Sequence, residues 1–264
     1  MINKKIHYCW FGGNPLDERA IQCLRSWKKF FPDYEIIRWD ESNFDISRVD
    51  FMYKAYKSQK WAFVSDVARL LILYDHGGIY FDVDVEVIRS YDDILNEETK
   101  AFIGMECDGY VSTGLGFGAE QFHPFLKKNI EIYEQINFDD FKTHLSDIAC
   151  PILTTTLLEK NGFIKENRKQ YIEGFEIYPS KYFAPMNYKT GKLKVFEQTH
   201  SIHWYSASWQ DDNIKQAQEY LRKLSSIFGV RIADQLYGIT TRLQQEGICK
   251  YLTNRIKKLI RKVK

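Results

Sequence analysis

A run of alternating apolar and acidic residues limits what this chain can become more than any other segment. Gly77-Gly78 is followed by Ile79-Tyr80-Phe81-Asp82-Val83-Asp84-Val85-Glu86-Val87-Ile88. The alternation predicts a strand over 79–88 whose Val83, Val85 and Val87 face a core. Asp82 and Asp84 then leave the opposite face together, about 7 Å apart. Aspartate is a poor strand former, and two on one face repel each other. A positive charge between them relieves the repulsion. A hard divalent cation, Mn²⁺ or Mg²⁺, is the simplest candidate. On spacing alone, solvated acids on an exposed edge strand fit the same pattern. Glu86, third on that face, reads as solvated or as a support to the pair.

The segment before this run predicts a helix from about Ser58 to Tyr74, with Trp61, Val64, Val67, Ala68 and Leu71 on its apolar face. Gly77-Gly78 supplies its C-terminal signal, because glycine accepts the left-handed cap conformation. Asp66 and Arg69, three apart, share one helix face, and the turn brings that face back beside Asp82 and Asp84. A plain ion pair on the helix surface is the alternative. Upstream, Lys5–Phe11 and Tyr34–Trp39 read as strands and Asp17–Phe31 as a helix stopped by Pro32, so the chain opens as an α/β sheet. Downstream, 125–141 and 150–160 read as helices, and 178–185 as an aromatic loop or edge. Gly114-Leu115-Gly116-Phe117-Gly118 lacks the dinucleotide spacing, which leaves a loop or a close backbone approach.

Composition removes other classes. With 264 residues, 44% hydrophobic and 16% aromatic, the chain supports one large domain or two small ones, and disorder or a coiled coil is excluded as a description of the whole. Five scattered cysteines with no Cys-x-x-Cys pair argue against a disulfide framework and against zinc. No 18-residue stretch lacks charge, and the first residues carry no leader pattern, so a cytoplasmic location is expected. Net charge is +2, but residues 250–264 hold seven basic residues and no acid, which leaves the body acidic and argues against nucleic acid as a partner. Two parts are therefore expected: a catalytic body over 1–240 and a basic amphipathic helix over 241–264. In the tail, Leu252, Ile256, Leu259, Ile260 and Val263 form one stripe suited to an anionic membrane surface on the inner face of the membrane, or to packing on protein.

Three segments together resemble a known family. Ile6-His7-Tyr8-Cys9-Trp10-Phe11-Gly12-Gly13, then Trp61-Ala62-Phe63-Val64-Ser65-Asp66-Val67-Ala68-Arg69, then Gly77 through Asp84 are similar to glycosyltransferase family 32. That group includes capsular polysaccharide and initiating mannosyltransferase types and is related to the glucosyltransferase domain of the large clostridial toxins. Ile202-His203 to Ser208-Trp209 resembles the same family's C-terminal element.

The resemblance implies a GT-A fold, a Rossmann-like mixed α/β sheet with flanking helices, and a retaining hexosyl transfer from a UDP- or GDP-sugar. It implies that Asp82 and Asp84 hold the metal, Mn²⁺ or Mg²⁺, with His203 as third ligand, and that Asp82 also meets the donor ribose. Asp66 and Arg69 would grip the donor sugar and diphosphate, with Asp66, Arg69 and Asp84 forming the catalytic set. Trp10 would stack on the base, Tyr80 would accompany the motif, and Ser208 and Trp209 would close over the phosphates. Trp204 stands where relatives often carry a second histidine.

The expected partners are a nucleotide-diphospho-sugar and a glycan acceptor, lipid-linked acceptors included, in capsular or other surface polysaccharide synthesis. Two other readings share the site: a toxin-like protein glycosyltransferase, for whose delivery regions 264 residues leave no room, and a non-catalytic carbohydrate-binding relative, against which the intact acids argue. A glycoside hydrolase would place its two carboxylates on different elements.

Overall fold

The computed structural model describes residues 1–141, 144–206, 212–233 and 235–237. Strand β1 (Lys5–Cys9) leads through a turn into helix α1 (Glu18–Phe30), whose first turn is capped by the Asp17 carboxylate accepting from Ala20 N–H. An acidic oxygen at that end satisfies an otherwise orphaned donor. Strand β2 (Glu35–Trp39) returns parallel to β1. Two helices follow, α2 (Asp50–Lys57) and α3 (Trp61–His76).

The helix expected from about Ser58 to Tyr74 is α3, with a later start, and α2 lies ahead of that expectation. Ser58 caps α2, Gln59 adopts a positive φ of 56°, and the second helix starts only at Trp61. Gly77 then closes α3 with φ 62°, its N–H returning to Leu73 O, as its position predicts.

The remaining elements are β3 (Gly78–Tyr80), β4 (Val85–Val87), β5 (Ala101–Met105), β6 (Val111–Ala119), α4 (Pro124–Gln135), α5 (Cys150–Glu159), β7 (Gln170–Ile172), β8 (Phe175–Tyr178), β9 (Ser201–His203) and α6 (Asp212–Phe228). Seven strands form a mixed sheet in the order β2-β1-β3-β6-β5-β8-β7, while β4 and β9 pair separately and antiparallel. The expected mixed α/β sheet is therefore present.

Buried side chains sort onto the two faces of the large sheet. One cluster joins Cys9, Ile103 and Phe117 to helical residues such as Val67, Leu70, Leu126 and Leu158. The other joins Ile6, Tyr8 and Phe102 to Ala20, Cys23 and Trp27 of α1.

The run 79–88 is not one strand. β3 ends at Tyr80, a turn closed by Val85 N–H donating to Asp82 O covers the two aspartates, and the chain resumes as β4 in the second sheet. Val83, Val85 and Val87 are buried as expected. The alternation survives because the two short strands keep the same inward parity, but the acids lie on a corner rather than on a flat face.

The glycine-rich segment 114–118 likewise lies in a strand and not in a loop. β6 carries an irregularity there. Its ladder with β5 passes from Phe117–Ile103 directly to Ser112–Gly104, so the residues between bulge outward.

By contacts the chain divides into two units, residues 1–186 with 193–209, and 187–192 with the segment from 210 onward. In the second, Arg222 Nε donates to Tyr188 O. The expected boundary at residue 240 and the tail 241–264 lie outside the described residues.

Candidate active site

The carboxyl ends of parallel strands in an open α/β sheet are where ligands bind. β1 and β3 run parallel, and both deliver candidate residues just past their ends: Trp10 after β1, Asp82 and Asp84 after β3. α3 packs along this region and presents Asp66 and Arg69, buried at 7% and 3% exposure.

Arg69 is the hub. One terminal nitrogen meets Asp82 Oδ1 at 3.0 Å and Ser65 Oγ at 3.1 Å, the other Asp66 Oδ1 at 3.2 Å and Thr113 Oγ1 at 3.2 Å. Its plane also lies over the Tyr80 ring, 4.9 Å from the centroid. Tyr80 adds its hydroxyl, donating to Asp82 Oδ1 at 3.1 Å. A buried guanidinium shared by two carboxylates is a different object from a surface pair, since removing one member leaves the others uncompensated. Desolvation pushes the carboxyls of Asp66 and Asp82 upward, with Arg69 opposing it in both.

Asp84 is held from the other side. Its Oδ1 lies 3.0 Å from His203 Nε2, its Oδ2 accepts Ser206 N–H at 2.7 Å, and its carbonyl accepts Trp204 N–H. The β4–β9 pairing explains this, because Val85 is in register with His203. Burial works against the Asp84 charge, but His203 and the Ser206 N–H outweigh it and hold the carboxyl below its usual range. Burial also works against a charged His203. Asp84 outweighs it, so the imidazole pKa is raised.

Ligand atoms of Asp82, Asp84 and His203 all lie within 4.8 Å of one another. Two carboxylates and an imidazole form a donor set suited to a divalent ion of the manganese kind. His203 Nδ1 is buried with no hydrogen-bond partner among the described residues. The residues present therefore fit a divalent cation.

Trp10 is half-buried, its ring packs at the edge of the α1-side cluster, and its Nε1 donates to Asn14 O at 2.6 Å. Its link to the acids runs through the β1–β3 pairing. Ser208 and Trp209 lie outside the described residues. Trp204, at the divergent position, donates from Nε1 to Glu86 Oε2 at 2.9 Å and carries Arg19 over its ring at 4.4 Å. Glu86 thus supports Trp204 rather than the acid pair.

Four contacts lie outside the expected set. Ser65 stood in the quoted motif without a role. Thr113 and Gly114 come from the bulge in β6. Cys150 donates its backbone N–H to Asp66 Oδ2 at 3.3 Å from the first residue of α5. Ser65 meets Arg69 at the i,i+4 spacing of one helix, a signal the sequence does carry, whereas Thr113, Gly114 and Cys150 meet their partners through tertiary folding.

The mixed sheet with flanking helices is that of the GT-A glycosyltransferases. Residues 17–101 match the family described as "glycosyltransferase sugar-binding region containing DXD motif", and that region includes Asp66, Arg69, Asp82 and Asp84. Residues 17–101 thus resemble the sugar-binding region of that family.

Inositol phosphoceramide mannosyltransferase 3 of Schizosaccharomyces pombe is 31% identical over 129 residues, 47% of this chain and 35% of that protein. A protein named "Toxin" from Photorhabdus asymbiotica is 28% identical over 126 residues, covering 34% of this chain and 4% of its own length. The chain thus spans well under half of the curated relatives it matches. Among solved structures, the PaToxG glycosyltransferase shares the fold with a TM-score of 0.51 at 18% identity, over 60% of this chain and 69% of that one.

Proposed function

We propose that the chain transfers a hexose from a nucleotide-diphospho-sugar, a UDP- or GDP-sugar, to a glycan acceptor with retention of configuration and with Mn²⁺ or Mg²⁺ as cofactor. The observation that carries this reading is the cluster of Asp82, Asp84 and His203 within 4.8 Å, set beside the buried Arg69. When the bond between the sugar and the diphosphate breaks, negative charge accumulates on the leaving nucleoside diphosphate, and a bound divalent ion would supply the charge that stabilises it. Asp82, Asp84 and His203 would hold the ion.

Arg69 keeps Asp82 oriented and adds positive field, while Asp66 faces the donor sugar from α3. Trp10 offers an apolar face to the base at the end of β1. Ser208 and Trp209 are assigned to the donor phosphates. No side chain is assigned as general base, and the leaving diphosphate itself takes the acceptor proton.

Capsular or other surface polysaccharide is the acceptor class favoured here, lipid-linked chains included. The basic segment 241–264 would lie on the anionic inner face of the membrane. No helix among the described residues is long and apolar enough to cross a membrane. The likeness to the Photorhabdus protein and to the PaToxG fold gives a second reading, in which the acceptor is a protein side chain.

Nucleoside diphosphate release from a panel of nucleotide sugars, with and without Mn²⁺, tests the first proposal. Glycan and protein acceptors then separate the two readings. A chain that neither hydrolyses nor transfers any donor, with or without metal, overturns both.

A further inference from the structure

The bulge in β6 meets the aspartate corner at a distance that leaves room for only one residue type. Gly114 O accepts the Asp82 backbone N–H at 3.1 Å, which fixes the corner against the strand. A Cβ at Gly114 would stand 2.0 Å from Asp82 Oδ2, 2.9 Å from its Cγ and 3.4 Å from a terminal nitrogen of Arg69. The neighbouring Thr113 hydroxyl accepts from Arg69. The Asp82 carboxylate therefore rests on bare backbone, with Arg69 and Tyr80 on its Oδ1 and the strand under its Oδ2. Gly114 does not adopt a positive φ, in contrast to Gly116 at 137°, so conformational freedom is not the reason for glycine at 114. Space is.

We infer that Gly114 is a positioning residue: its missing side chain sets where the Asp82 carboxylate lies, and so whether Asp82 can share a divalent cation with Asp84 and His203. This rests on the metal-dependent reading above and adds a determinant from a different strand. A methyl group at 114 is accommodated by rotation of the short Asp82 side chain away from Arg69, at the cost of that ion pair but without moving the backbone. The fold then survives while the metal geometry is lost. Gly118, four residues along the same strand, provides the contrast. A Cβ there would meet the Phe102 ring at 2.4 Å, a collision with the core and not with the site.

The test uses the full chain and the variants Gly114→Ala, Gly118→Ala and Asp84→Asn, with Mn²⁺ affinity measured by electron paramagnetic resonance of free Mn²⁺. Gly114→Ala should weaken Mn²⁺ binding by about 10-fold or more, as removal of supporting contacts does at other metal sites. Gly118→Ala should lower the melting temperature without changing affinity. Equal affinity in Gly114→Ala and wild type, while Asp84→Asn loses it, overturns this inference and leaves the proposed function standing. Wild type and Asp84→Asn that both fail to bind Mn²⁺ overturn the metal-dependent reading and this inference with it.

Thermal stability gives a second readout for the case in which Gly114→Ala folds poorly. Asp82→Ala removes the colliding group, so the double variant Gly114→Ala/Asp82→Ala should be more stable than the sum of the single changes predicts. Strict additivity overturns the inference.

Discussion

Asp82 and Asp84 stand two residues apart and belong to two different mechanical settings. Asp82 is built into the large sheet: it follows β3, rests on β6 and is clamped by Arg69 of α3. Asp84 opens the small sheet, where β9 supplies His203 and the following loop supplies the Ser206 N–H. Their electrostatics differ in the same way. Burial raises the Asp82 carboxyl against Arg69, whereas His203 and a backbone donor hold Asp84 low. The difference teaches that a three-residue motif can be a joint, with one acid kept by the frame and its partner kept by a smaller attached layer.

If that comparison is right, the heaviest structural penalty falls on the Asp82 side. Arg69→Met leaves Asp66 and Asp82 without their buried partner. Stability should fall by about 3–5 kcal/mol, measured by urea unfolding. A loss below about 1 kcal/mol would reduce Arg69 to a surface-type pair.

On the other side, Asp84→Asn should cost function more than fold. Nucleoside diphosphate release should drop by about 10²–10³-fold, the scale for losing one preorganised charge-stabilising group. Circular dichroism should remain that of wild type. A large metal-independent drop in melting temperature would instead make Asp84 structural.

His7 sharpens the account of the frame. It is fully buried on β1, its Nδ1 accepts from Trp39 Nε1 at 3.0 Å, and its Nε2 meets Gly77 O at 2.9 Å, an arrangement that requires the neutral ring. Desolvation lowers its pKa to about 4. The unfolded chain therefore takes up a proton on His7 between pH 6.5 and about 4 while the folded chain does not. The stability this neutral ring provides is complete above pH 6.5 and declines by about 3 kcal/mol as pH falls to about 4. His7→Gln should lack this component, so its stability gap to wild type should narrow over that window. A constant gap would place the titration elsewhere.

Trp10→Ala is the mildest test. Nucleotide affinity should weaken by about 1–3 kcal/mol in calorimetry if the ring stacks on the base. Unchanged affinity would return Trp10 to packing.

The motif residues were legible because local chemistry made them conspicuous. Aspartates in a strand-like run and an Arg–Asp pair in an apolar helix both violate what burial prefers. The sheet class followed from strand–helix–strand order. The break at Asp82–Asp84 was hidden, because two collinear strands with one inward parity print the same alternation as one. The boundary between α2 and α3 was hidden by Gln59, whose positive φ carries no composition signal. Gly114, Thr113 and Cys150 meet Asp82, Arg69 and Asp66 across 32 or more positions of chain, and no local pattern encodes such a meeting.

The anchoring of β4 decides how the small sheet is held. Trp27 Nε1 of α1 donates to Val85 O, and Ser26 Oγ of the same helix accepts the Val87 N–H. The strand that follows Asp84 is thus moored to α1 as well as to β9. These bonds tie the small sheet to the first helix of the chain, whose buried cluster lies on the face of the large sheet opposite that of α3. Asp82 is thereby tied to α3 and the strand after Asp84 to α1, so a ligand bridging the two acids at the strand ends would fasten together layers from opposite faces of the sheet.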